Sequence, residues 1–297
     1  MILMCKNNPV FDIENEIVLN GALLPGIMQK YATKHSFVNW MEKRYSEKSN
    51  TYARKLRGLV FGQGNRQKIN EVTHALSLSD CYWIKRQDES ISFEQISPYF
   101  KDFWTGEGYY QGQAAPTLYV NGYISKYWEN SRILVKNREK HEIECSSAAK
   151  ALGLKVINIV EHPDGIAVEN FTNEKLMFES AEASGRLDPD EFTADDVLKL
   201  FGVQGFDMLF FDALIGNGDR HAGNFGYLRD TDTGEYVEMA PLFDFDHAFE
   251  SNNVNDILVQ EVREYKKLYE GRFNSFVDLS KTIGLNGYML ERLHAMM

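Results

Sequence analysis

Basic side chains are in short supply: 32 Lys and Arg stand against 43 Asp and Glu, a formal net charge of −11. A chain of that sign repels phosphate backbones, which argues against direct, non-specific nucleic-acid binding. Cysteine is scarcer still. Cys5, Cys81 and Cys145 are odd in number, far apart and without a C-x-x-C pair. Neither a disulfide framework nor a zinc site is signalled, and a reducing compartment is the simplest expectation. No apolar run approaches the roughly 18 to 20 residues that span a bilayer. The apolar start, Met1 to Cys5, is cut by Lys6, Asn7 and Asn8, too early for a signal-peptide core. A cytoplasmic location is expected, with export to a host cell by another route left open. There is no internal repeat and no low-complexity tract. The 297 residues, 43% hydrophobic and 25% charged, exclude a disordered tail, a collagen-like fibre and a coiled coil. That length fits one or two domains.

What is present divides the chain. Alternation over Met1 to Asn20 predicts a short hairpin turning at Asn7-Asn8-Pro9. A helical pattern follows from Phe37 to about Leu59. Between Met41 and Lys68 eight Lys and Arg face two Asp and Glu, either a solvated helix face or a docking surface for an acidic partner or nucleic acid. Gly62-Gln63-Gly64 is only a turn signal. Trp104 to Pro116 is glycine-rich and forms the best boundary. Strands are expected at Thr117 to Val120, Tyr123 to Trp128 (turned at Asn121-Gly122) and Arg132 to Lys136. Glu142 to Leu152 reads as a helix ended by Gly153. Val156 to Val160 and Gly165 to Glu169 read as two more strands. Thr193 is an N-cap with acids in the first turn, and Phe206 to Ile215 is a helix apolar nearly all round, hence buried.

That buried helix runs into Asn217-Gly218-Asp219-Arg220-His221-Ala222-Gly223-Asn224, and Asp244 follows within Pro241-Leu242-Phe243-Asp244-Phe245-Asp246-His247. Phosphoryl transfer from ATP needs a carboxylate at the acceptor hydroxyl, oxygen ligands for Mg²⁺ and a cation on the other phosphates. Kinases place the first carboxylate and a metal-binding Asn five positions apart, with a second Asp further on. Asp219 and Asn224 have that spacing, and Asp244 holds the second place. Upstream, Lys136 closes a strand where the phosphate lysine belongs, and Glu142 and Glu144 open the next helix. Singly, each residue has a plainer reading: Asn-Gly-Asp is a common turn, a strand-end lysine is commonly solvated, His221 suits a structural imidazole. Asp244, Asp246 and His247 also suit a calcium-type or hydrolase metal cluster. The ordered set Lys, Glu, Asp, Asn, Asp favours a kinase.

The loop Asn217-x-Asp219-Arg220-His221-x-x-Asn224 resembles that of the HipA-like kinases and of the related phosphatidylinositol 3-/4-kinases. Pro241 to Asp244 is similar to the HipA-like metal-binding segment. Gly122-Tyr123-Ile124-Ser125-Lys126 with Ile133-Leu134-Val135-Lys136 resembles the family's G-x-x-P-K loop and V-K strand. Ala149-Lys150-Ala151-Leu152-Gly153-Leu154 and Ser77 to Ile84 resemble further family stretches, and Val168-Glu169-Asn170-Phe171 resembles the hinge that receives adenine. The resemblance is good over about Thr117 to Ser251. Ser125 departs from the family proline, and there is no G-x-G-x-x-G and no A-P-E.

The resemblance implies an α+β, two-lobed protein-kinase-like fold with a β-rich small lobe (116–172), a helical large lobe (173–297) and an amino-terminal family-specific region (1–115). It implies Ser/Thr phosphorylation with ATP and Mg²⁺. ATP would touch Gly122, Tyr123, Ile124, Ser125, Lys126 and Lys136, with Glu142 as the favoured partner of Lys136 and adenine against Glu169 to Phe171. Asp219 would orient the acceptor, His221 would brace the loop or touch the γ-phosphate, and Asn224 and Asp244 would hold the metal. Autophosphorylation is expected near Ser125 and Ser131. The acceptor is a protein of unknown identity. A phosphoinositide or small-molecule kinase, and a non-catalytic ATP-binding partner of a DNA-binding antitoxin, are the rival readings.

Overall fold

The amino-terminal hairpin turns at Lys6-Asn7, slightly ahead of the expected Asn7-Asn8-Pro9 turn. In the computed structural model, β1 (Ile2–Cys5) and β2 (Asn8–Asp12) pair antiparallel. Lys6, left-handed at φ 50°, opens the turn. Pro9 lies inside β2 opposite Met4, where the register shifts, because proline has no N–H to give the ladder. The structure describes residues 1–42, 74–100, 109–110, 113–114, 126–137, 141–249 and 254–297. Most of the basic segment, Gly62 to Gly64, the Thr117 to Val120 strand and Gly122 to Ser125 lie outside them.

Strands β3 (Ile17–Val18) and β4 (Tyr82–Lys85) complete a sheet ordered β3-β2-β1-β4. Helices α1 (Gly26–Gln29), α2 (Lys34–Glu42) and α3 (Phe93–Ile96) belong to the same unit. Its core holds Leu3, Phe11, Trp40 and Trp83, and it takes in one distant residue, Met177.

A two-residue ladder, β5 (Tyr109–Tyr110) with β6 (Gln113–Ala114), precedes the second sheet. Strands β7 (Lys126–Asn130) and β8 (Ile133–Lys136) lead to helix α4 (Glu142–Ala151), and β9 (Ile159–His162) and β10 (Gly165–Glu169) follow it. The antiparallel order is β7-β8-β10-β9. Gly153 sits at φ 70° past the end of α4, a conformation that costs glycine least. The sheet's core is small, with Ile157, Ile159, Ile166 and Val168 at its centre.

The remaining chain forms β11 (Leu176–Ser180), α5 (Ala181–Ser184), α6 (Ala194–Phe201), α7 (Val203–Ile215), β12 (Gly226–Asp230), β13 (Tyr236–Met239), α8 (Val254–Tyr265), α9 (Glu270–Ser280) and α10 (Gly287–Met296). Its sheet runs β11-β12-β13. Thr193 caps α6, its side chain accepting from Asp196 N while the Asp196 carboxylate accepts from Thr193 N. The apolar α7 is buried from Met208 to Ile215 and packs against α6, α8 and α10. The architecture is α+β. Among the described residues no helix is long and apolar enough to cross a membrane.

A buried guanidinium joins the first unit to the third sheet. Arg229 on β12 is wholly buried. It donates to the carbonyls of Gly234 (2.6 Å), Leu24 (2.7 Å) and Ala22 (2.6 Å) and to the Tyr82 hydroxyl (3.0 Å). Glu179, 3.5 Å from it, accepts from Gly26 N and the Tyr236 hydroxyl. Removing one member strands the others without water. We therefore expect Arg229→Met to cost roughly 3–5 kcal/mol in urea unfolding; an unchanged midpoint would contradict this account of the junction.

Candidate active site

The loop after α7 is built by one carboxylate. Gly216 ends the helix in the left-handed region, φ 65°, and turns the chain back on itself. Asp212, buried in the last turn, then collects the loop. Asn217 Nδ2 donates to it at 3.1 Å, and Arg220 grips it in a fork, Nε to Oδ2 at 2.9 Å and Nη2 to Oδ1 at 2.8 Å. The other terminal nitrogen of Arg220 donates to two carbonyls, Asn224 O at 3.0 Å and Phe243 O at 2.7 Å. One side chain thus ties α7, the carbonyl of Asn224 and the residue before Asp244 together.

Asp219 projects from this framed loop with its carboxylate 53% exposed, 3.8 Å from His247 Nε2. His221 is exposed, and its Nδ1 accepts from Gly223 N at 3.1 Å, so the ring braces the loop. Asn224 N donates to His221 O at 2.9 Å, closing the next turn.

The Asp244 segment is held from three sides. Leu242 N donates to Lys155 O and Leu242 O accepts from Ile157 N, joining it to the chain that enters β9. The Phe243 ring stacks on Phe171 at 5.7 Å and meets the edge of Phe178 at 5.5 Å. Asp244 itself is left-handed, φ 62°, a conformation that non-glycine residues adopt only where their surroundings impose it.

Lys136, at the end of β8, is buried and pairs with Glu142, the first residue of α4, which is fully buried. Its Nζ also lies 3.5 Å from Asp244 Oδ1. Burial works to lower the Lys136 pKa, but Glu142 and Asp244 outweigh it and hold the ammonium above its ordinary value. Burial likewise works to raise Asp244, and Lys136, Lys126 and Arg220 outweigh it, so this carboxylate stays ionised below its usual range. Lys126 sits opposite Lys136 in the β7–β8 ladder. Burial and the Lys136 charge push it down. Asp246 is pushed up by burial and by Asp244.

Glu144 does not enter this cluster. Two residues along a helix turn the side chain by about 200°, and Glu144 instead accepts from Asn286 Nδ2 at 2.8 Å. Among the described residues no group of three or more His, Cys, Asp or Glu gathers as a metal site, so Asp244, Asp246 and His247 do not form the cluster weighed above.

The expected hinge is stapled to the amino-terminal unit. Asn170 Nδ2 donates to Leu78 O (3.3 Å) and Ser131 O (3.0 Å), and Asn170 N to Arg132 O (2.7 Å). Leu78 O also accepts from the hydroxyls of Thr172 and Tyr99. Glu169 is exposed and its N–H is taken by Asn158 O, whereas the Phe171 ring packs inward on Phe178 and Phe243.

The structure therefore brings Lys136, Glu142, Asp244 and Lys126 into one charged cluster, and binds Asn224 to the Asp244 segment through Arg220. Gly122, Tyr123, Ile124 and Ser125 lie outside the described residues. Sequence reasoning gave no role to Asp212 or Arg220. The available signal was an acid at Asp212 in an otherwise apolar stretch, Met208 to Ile215.

Over 58 residues, 20% of this chain, the sequence is 45% identical to the serine/threonine-protein kinase CtkA of Helicobacter pylori (strain J99). That stretch is 17% of the relative's length, so the match spans under a fifth of it. The crystal structure of the H. pylori proinflammatory kinase CtkA aligns with 58% of this chain and 88% of its own at 19% identity, TM-score 0.35. The fold is that of a chain in the Shewanella oneidensis MR-1 toxin–antitoxin complex of HipA, HipB and operator DNA. There the TM-score is 0.52 at 15% identity, covering 99% of this chain and 96% of that one. Residues 118–297 match the HipA-like C-terminal domain, more than half of the sequence, and the chain belongs to that family.

Proposed function

We propose that this protein is an ATP- and Mg²⁺-dependent serine/threonine protein kinase. The observation that carries the reading is the buried Lys136–Glu142 pair closed against Asp244. Burying two charges is expensive and stabilises a fold poorly, so such a pair closed against a third charge, the Asp244 carboxylate, is better explained by phosphate chemistry. A partner of an antitoxin that bound no nucleotide would have no use for it.

Lys136 is held protonated and aimed at the Asp244 carboxylate, where it would neutralise non-transferred phosphates. Lys126, beside it, adds a second cation of lower pKa. Asn224 and Asp244 supply hard oxygen donors of the kind Mg²⁺ takes. It commonly uses only one or two carboxylates, with water and substrate phosphates completing its shell, so the donors present suit it. Bound there, the metal would offset charge on the β- and γ-phosphates. Asp219, exposed at the loop tip, would accept a hydrogen bond from a Ser or Thr hydroxyl and orient it for in-line attack. Autophosphorylation at Ser131, in the turn between β7 and β8, belongs to the same reading.

Two outcomes test it. Asp219→Ala should lower phosphoryl transfer at least about 100-fold with an unaltered unfolding midpoint, because its carboxylate is exposed. The readout is phosphosite mass spectrometry of a lysate incubated with MgATP; full transfer by this variant would remove the assignment. Asp212→Ala should destabilise the chain by roughly 3–5 kcal/mol, because Arg220 is left charged and buried. The milder Asp212→Asn should fold and lose kcat as the loop loosens. A kcat equal to wild type would show that the fork does not position Asp219.

A further inference from the structure

Helix α10 lies far along the chain from every residue given a role above, yet it touches three of the elements that carry them. Asn286, at its N-cap, accepts from Met289 N at 2.8 Å with its side-chain oxygen and donates from Nδ2 to Glu144 in the first turn of α4. Tyr288 meets the edge of Phe249 at 5.4 Å, and Phe249 in turn meets the edge of His141 at 4.7 Å. His141 is the N-cap residue of α4 and directly precedes Glu142. Arg292 donates through Nε to the carbonyl of Ala213, in the last turn of α7.

Phe249 shows that this contact is imposed. It is left-handed, φ 65°, where a bulky side chain is a genuine outlier. Its N–H is taken by Ile215 O at 2.7 Å, and its ring is held between His141 and Tyr288. Such a backbone persists only when the surroundings over-determine it. The segment that begins with left-handed Asp244 is therefore pinned at its far end as well. The pin reaches the helix that carries Glu142. Glu142 faces inward to Lys136, and Glu144, rotated to another face of α4, is gripped by α10.

We propose that α10 is a positioning strut for the phosphate lysine: through Tyr288–Phe249–His141 and Asn286–Glu144 it holds α4 where Glu142 meets Lys136. Tyr288, Phe249 and Glu144 are positioning residues for phosphoryl transfer, acting through α4. The part that concerns ATP rests on the kinase reading; the part that concerns α4 does not. Without the strut, α4 samples positions in which Lys136 is unpaired, and apparent ATP affinity falls in proportion to the competent fraction.

The test compares the full chain with Tyr288→Ala, Tyr288→Phe and Glu144→Ala. Amide hydrogen exchange is followed over residues 142–151 and, as an internal reference, over α6. MgATP affinity is measured by calorimetry well below the unfolding midpoint. Loss of the ring should speed exchange in 142–151 about ten-fold with α6 unchanged and weaken MgATP about ten-fold. Tyr288→Phe, which keeps the ring, should restore both. Glu144→Ala should shift both in the same direction by less, and it removes only exposed polar contacts, with Asn286 Nδ2 and with His141 Nδ1 at 3.9 Å, so it folds even if Tyr288→Ala does not. Unchanged exchange over 142–151 in both the Tyr288→Ala and Glu144→Ala chains overturns the strut. So does acceleration spread equally over α6, the mark of general loosening. Failure of the wild-type chain to bind MgATP removes the kinase reading instead, and leaves the exchange result to decide the strut.

Discussion

The guanidinium of Arg220 is the contact on which the rest of the site depends. Its planar fork closes on Asp212 with two hydrogen bonds of 2.8 and 2.9 Å, and its remaining nitrogen serves the carbonyls of Asn224 and Phe243. Lysine could not do this, because an ammonium has no fixed fork. The pair is buried, so neither partner can be given up to water cheaply. A buried apolar helix, a polar loop and the approach to Asp244 are thereby held as one rigid piece, with Asp219 left exposed at its edge. Such preorganisation is what phosphoryl transfer asks of a protein, since little covalent chemistry is required of it.

Around that piece the molecule adds anchorage at both ends of the chain. The amino-terminal unit reaches β12 through Arg229 and reaches the end of β10 through the Leu78 carbonyl, which takes donors from Asn170, Thr172 and Tyr99. Phe171, between two of those donors, passes the constraint to Phe243 and so to Asp244. The amino-terminal residues are thus part of the scaffold that sets the segment 170–172. Helix α10 meets α4 through Asn286 and Glu144.

What was legible in the sequence was local. Asp219, His221 and Asn224 lie in one short loop whose spacing survives any packing. Thr193 and Gly153 carry their own backbone signals, and both act as the sequence leads one to expect. The choice between Glu142 and Glu144 was open because both open the same helix, and only the position of β8 decides which faces Lys136. The hairpin turn moved because Pro9 tolerates a bulged strand as well as a turn. Strands β11 and β12 gave little signal of their own, and the partners of Arg229 at Ala22 and Leu24 lie more than 200 positions away. Asp212 was visible as an acid in an apolar run, but its meaning depends on Arg220 folding back over the helix end.

The central claim is that Lys136, Asn224 and Asp244 form one site for a nucleotide and its metal. Calorimetric titration of the full chain with ATP, with and without Mg²⁺, tests it most directly. The account predicts saturable binding of one nucleotide per chain that weakens sharply when Mg²⁺ is chelated and is lost in Lys136→Met. ATP binding that ignores both Mg²⁺ and Lys136, or no binding at all, would contradict it.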